Sequence, residues 1–166
     1  MATVYQTLEP AGAQFLASAF PALVKNGTNF PVVGLAFDAA TQENAYWAVR
    51  AVNYGTGNLA VDIDWYADSA TSGVVRWGVQ IAAITPDTDT QDVETKTLAT
   101  AQTVDDTHLG TTGQRLHRCT VTVSNLDSLA AGDDVWIKVY RDAGNAADTL
   151  TGDSILVAAT VSYSDT

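Results

Sequence analysis

The segment Asn58-Leu-Ala-Val-Asp-Ile-Asp-Trp-Tyr66 places Leu59, Val61, Ile63 and Trp65 at one phase and Asp62 and Asp64 at the other. Side chains of a strand point alternately to opposite faces, so this segment predicts a strand with one buried and one wet face. Seven further segments carry strand patterns. Pro31 to Phe37 is closed by the turn Asp38-Ala-Ala-Thr41, and Asn44 to Asn53 sets Trp47, Val49 and Ala51 against Tyr46, Ala48 and Arg50. After the turn Ser69 to Gly73, Val75, Trp77, Val79 and Ile81 alternate with Arg76, Gly78 and Gln80. Val93 to Val104 is weaker strand material, rich in Thr and Ala. Arg115 to Val123 turns Cys119, Val121 and Val123 inward, Val135, Ile137 and Val139 mark the next strand, and Ile155, Val157, Ala159, Val161 and Tyr163 the last. Thr85 to Asp92 and Asp105 to Gly113 read as polar loops, and Leu126 to Gly132 as a connector with room for a short helical turn.

Eight strands separated by Gly, Asp, Ser and Thr turns, with no long amphipathic helix, predict an all-β fold: a jelly-roll-like antiparallel β-sandwich. The first 29 residues stand apart. Phe15, Leu16, Phe20, Leu23 and Val24 form an apolar stretch broken by Pro21 that fits neither a helical nor a strand period. Residues 1–29 are therefore predicted to be an extended arm, ended by the Asn26-Gly27 turn, and residues 30–166 the sandwich domain. Those five apolar residues are the expected contact surface of the arm.

Composition narrows the function classes. At 166 residues, the chain suits one domain with a real core. A net charge of −11 and only eight Lys and Arg leave little from which to build the basic face that nucleic-acid or anionic-lipid binding uses. No apolar stretch approaches a bilayer-crossing length, and the N-terminus lacks the basic residues of a secretion signal, so a soluble protein is expected. The acidic excess comes mostly from Asp, a turn residue, in keeping with a loop-rich β chain.

Candidate chemistry is sparse. Asp87, Asp89 and Asp92 could ligate calcium, a hard cation that takes oxygen ligands. Their spacing lacks the Gly and terminal Glu of an EF-hand, and a solvated acidic turn is the favoured reading. Asp142, Asp148 and Asp153 form a second such trio. His108 and His117 are the only histidines; no Gly-x-Ser-x-Gly elbow supplies a nucleophile. His117 and the single Cys119 share a strand face, as a Cys-His dyad or, on the usual behaviour of a free Cys, a structural pair. Asp62 and Asp64 read as a wet face rather than the facing carboxylates of a glycosidase. Neither catalysis, a resident metal nor a cofactor is expected; a hydrolase would require the two acidic loops to converge on a metal. Of the four tryptophans, Trp47, Trp65 and Trp77 fall in phase with core residues. Trp136 opposes Val135, Ile137 and Val139 and is expected outward beside Tyr140, as a thin sugar platform or part of a subunit interface.

Several turn and strand-start motifs resemble a family of small virion proteins of tailed bacteriophages. They are Phe37-Asp-Ala-Ala-Thr41, Ala45-Tyr-Trp47, and Ala67-Asp-Ser-Ala-Thr-Ser-Gly73 before Val75-Arg-Trp77. Further on come Thr107-His-Leu-Gly-Thr-Thr-Gly113, Asp127-Ser-Leu-Ala-Ala-Gly-Asp133, and Arg141-Asp-Ala-Gly-Asn-Ala-Ala-Asp-Thr149 with Gly152-Asp153. The resemblance spans about Pro31 to Tyr163. It implies a jelly roll on the capsid surface of the virion, a trimeric decoration or cement protein whose partner is the major capsid protein. The alternative is a carbohydrate- or receptor-binding domain of a phage tail or fibre, since function lives in sites grafted on folds.

Overall fold

The computed structural model describes residues Met1–Thr166. Ten strands build two antiparallel sheets: β1 (Thr3–Leu8), β2 (Ala22–Asn26), β3 (Val32–Phe37), β4 (Asn44–Arg50), β5 (Leu59–Ala67), β6 (Val74–Ile84), β7 (Gln102–Thr107), β8 (His117–Val123), β9 (Asp134–Arg141) and β10 (Ser154–Ser164). One sheet runs β2-β3-β10-β5-β8 with β1 also on β10, and the other runs β4-β9-β6-β7. The all-β jelly-roll-like sandwich is therefore present, with ten strands rather than eight.

The core is the set of residues that the alternation turned inward. Leu59, Val61, Ile63 and Trp65 of β5 face Val75, Trp77, Val79 and Ile81 of β6, all of them buried. Trp65 and Trp77 are fully enclosed, and Phe37 meets Trp77 edge-on with ring centroids 5.2 Å apart. Asp62 and Asp64 lie on the opposite, outer face of β5. There Asp64 takes a two-pronged ion pair from Arg118, and Asp62 accepts a hydrogen bond from Thr120.

The two additional strands come from the segment predicted to be an arm, and that expectation is corrected. β1 runs antiparallel to β10 from Thr3↔Ser164 to Leu8↔Ala159, and β2 pairs with β3. Val4, Gln6 and Leu8 point inward, and Leu8 is buried. Gln6 interrupts the apolar pattern, but its amide donates to the Arg50 carbonyl and the Tyr163 hydroxyl. A half-buried amide with partners costs little. Between these strands lies one 3-10 turn, Pro10–Gly12. The chain then crosses to the other sheet, where Gln14 bridges Tyr46 and the Ala19 carbonyl accepts from Asn44 N–H. The Trp47 indole donates to the Glu9 carbonyl at 2.9 Å. The N-terminal segment thus closes one edge of the sandwich.

Two smaller expectations also change. Strand β7 runs Gln102–Thr107, so residues 93–101 are irregular and the loop predicted from Asp105 begins only at His108. The connector 126–132 contains turns and no helix; Asp127 and Ser128 both adopt positive φ.

Candidate binding groove

The outer face of the four-stranded sheet carries three cross-strand rows. Register places Ala48, Trp136 and Ala82 in one row, Tyr46, Lys138 and Gln80 in the next, and Asn44, Tyr140 and Gly78 in the third. Flanked by two alanines, Trp136 stands half-exposed. Tyr140 points outward as expected yet is only 7 % exposed. Its ring lies over Gly78, where any Cβ would run into it. Glycine at this position is what lets the ring come so close.

Trp136, Tyr46 and Ala82 floor a groove of about 330 Å³. Val93 and Leu98, from the loop between β6 and β7, form one wall and Leu16 another, with Glu94 and Lys96 on the rim. The loop wall is fastened to the sheet. Ala99 N–H donates to the Ile81 carbonyl, the Gln80 side chain donates to the Ala99 carbonyl, and Lys96 pairs with Asp127 at 3.0 Å. An aromatic floor with a charged rim can take the apolar face of a polar, ring-shaped ligand and hold its hydroxyl edges.

A second cleft of about 430 Å³ opens on the outer face of the six-stranded sheet, between Phe30, Val32, Tyr66, Leu116 and Val157. Its polar groups are already engaged: Asn26 donates to the Tyr66 hydroxyl, and the Gln114 amide to the Asp68 carbonyl. It offers little that could discriminate a polar ligand.

The arm residues proposed as an interface are on the surface. Phe15, Leu16, Phe20 and Leu23 are exposed, Val24 is half-buried, and the Phe15 and Phe20 rings meet at 5.6 Å. The structure brings Leu16 of this group together with Trp136 in the groove. Sequence reasoning assigned no role to Tyr46 or Lys138, although the phase opposite Trp47 already marked Tyr46 as outward.

The acidic trios do not form metal cages; no group of three His, Cys, Asp or Glu side chains is placed to hold an ion. Asp89 and Asp92 accept from backbone N–H groups of Thr85 and Glu94, in turns of their own loop. Asp148 is enclosed against Arg141, Asp142 pairs with Arg76, and burial, helped by the nearby charges of Asp68 and Asp38, raises the Asp153 pKa.

The histidines form a cluster beside Trp65. His117 stacks on the Trp65 ring at 4.6 Å and touches His108 at 4.5 Å. Nε2 of His117 accepts from Leu109 N–H, and Nδ1 of His108 from Gly110 N–H. The Trp65 indole donates to Asp106 at 2.8 Å. Burial and the neighbouring His108 hold the His117 pKa below its usual value. Burial pushes the Cys119 thiol up to about 12, so it carries almost no thiolate at neutral pH and is a poor nucleophile.

No family profile matches the sequence, and no curated protein does. Solved structures of similar shape include a CBM36 carbohydrate-binding module in complex with calcium and xylotriose (13 % identity, 94 % of this chain and 98 % of that one, TM-score 0.48). Another is the mannan-recognising module TmCBM27 (11 %, 99 % of each chain, TM-score 0.48). A third is a chain of infectious bursal disease virus, Gx strain (8 %, 96 % of this chain and 32 % of that one, TM-score 0.42). Likeness of this degree assigns no ligand; the fold stands on the two sheets themselves.

Proposed function

We propose that this protein is a non-catalytic binding module that holds a glycan chain in the groove over Tyr46 and Trp136. The observation that carries the reading is the presence of those two aromatic side chains on one floor, beneath a charged rim, on a sheet face to which the loop wall is already hydrogen-bonded. Aromatic residues supply large contact area at small entropic cost, and a pre-formed concave site avoids the cost of ordering itself. The test is an oligosaccharide array probed with the wild type and Trp136→Ala. Specific binding that the variant loses supports the reading. Unaltered binding by the variant, or none by either protein, overturns it.

A second reading has its own observation. Phe15, Leu16, Phe20 and Leu23 expose apolar side chains on one segment, and such patches mark association surfaces. It takes the protein as a phage virion component: a trimeric capsid decoration protein that binds the major capsid protein, or a tail or fibre domain using the groove on a receptor. Sedimentation of the pure protein, and copy number in purified virions, test it. A monomer absent from particles would remove this reading.

A further inference from the structure

Lys138 stands on the groove-bearing face in the row next to Trp136, in register between Tyr46 and Gln80, beside the groove rather than among its lining residues. Its ammonium donates to Gln80 Oε1 at 3.0 Å and sits 4.7 Å from the centroid of the Tyr140 ring. Gln80 is oriented for this, because its amide nitrogen is spent on the Ala99 carbonyl. No carboxylate pairs with Lys138. Arg50, Arg76, Lys96, Arg118 and Arg141 each pair with an aspartate, and the remaining two cations, Lys25 and Arg115, are exposed.

In a chain of net charge −11, an unpaired, half-buried cation is conspicuous. Desolvating a charge without a counter-charge is costly, and an apolar side chain of similar length would pack there without that cost. Burial lowers the Lys138 pKa, the mark of that unpaid desolvation. The charges around it do not cancel it: Lys96 on the rim is engaged by Asp127 and Asp142 by Arg76, which leaves Glu94 as the rim's unpaired carboxylate. One hydrogen of the ammonium is used on Gln80, and two donors remain.

We propose that Lys138 is an anion-recognising residue and that the ligand is an acidic glycan, one bearing carboxylate or sulfate groups on its sugar rings. This rests on the glycan reading above and names its ligand class. The sugar ring packs on Trp136 and Tyr46, and its anionic group completes the ion pair that Lys138 lacks. The carboxylate of Glu94 on the groove rim disfavours an anion placed beside it, which orients the chain.

The experiment is titration calorimetry of the full chain with three oligosaccharide sets: uronate-containing, sulfated and neutral. Lys138→Met, Lys138→Arg, Trp136→Ala and, as a control on the opposite sheet face, Arg118→Gln are compared, each checked for a cooperative melt. Binding of a uronate or sulfated set that weakens about tenfold or more in Lys138→Met supports the proposal. Recovery in Lys138→Arg, loss in Trp136→Ala and weakening with added salt complete that pattern, and the set that binds identifies the anion. Neutral glycans bound in preference, or acidic ones bound equally by Lys138→Met, overturn this inference and leave the glycan reading standing. No binding of any set overturns both.

Discussion

Arg141 grips Asp148 with two parallel hydrogen bonds, Nε to Oδ2 at 2.9 Å and Nη2 to Oδ1 at 2.7 Å, and neither side chain reaches solvent. The guanidinium also donates to the carbonyls of Gly152 and Leu150, and Asp148 accepts from Arg76 N–H. The pair therefore folds residues 142–153 back onto the end of β9 and delivers the chain into β10. Removing one partner strands a buried charge, so Asp148→Ala should cost about 3–5 kcal/mol in urea unfolding. The double replacement Arg141→Met/Asp148→Leu should cost less than the single one, because no charge is left unpaired.

The N-terminal strand is expected to be essential to the fold. Leu8 is buried where β1 closes on β10, so Leu8→Ala should lose about 2–5 kcal/mol. Deleting residues 1–29 should abolish the cooperative thermal transition, followed by near-ultraviolet circular dichroism. A truncated chain that melts as sharply as the full one would show the sandwich to be independent of this segment.

Acid should weaken the molecule in a specific window. The His117 pKa is lowered from 6.5 in the folded state, so the unfolded chain binds its proton more readily. Stability is thus complete above 6.5 and declines as pH falls from there through the folded value. Glu43 and Asp153 work the other way at lower pH, because their raised values make the folded state take up protons first. Urea midpoints measured from pH 7.5 to 5.5 should fall in the wild type and fall less in His117→Gln, whose amide cannot charge.

Gly78 and Tyr140 provide a test of the groove face. Because a Cβ at residue 78 collides with the tyrosine ring, Gly78→Ala should cost about 1–3 kcal/mol by overpacking. It should also displace Tyr140 from beneath Lys138, visible as a changed tyrosine environment in near-ultraviolet circular dichroism. An unchanged spectrum with unchanged stability would contradict the packing described.

Much of the sandwich was legible in the chain because a strand's two-residue period reports a buried face directly. Trp65 and Trp77 were readable as core, Asp62 and Asp64 as a wet face, and Trp136 as outward, from phase alone. What that period cannot report is which strands become neighbours or what caps their surfaces. β1 escaped because Gln6 breaks its apolar phase, and only Tyr163 and the Arg50 carbonyl, distant in sequence, make that glutamine tolerable inside. The aspartates looked alike as turn residues. Tertiary contacts alone made Asp148 a buried counter-ion and left Asp89 in a local turn. Local alternation therefore determined the class of fold and the inward face of most strands. The meeting of Leu16 and Tyr46 with Trp136 and Lys138 on one face was decided only when segments remote in sequence were brought together, because that juxtaposition depends on long-range pairing that no local pattern encodes.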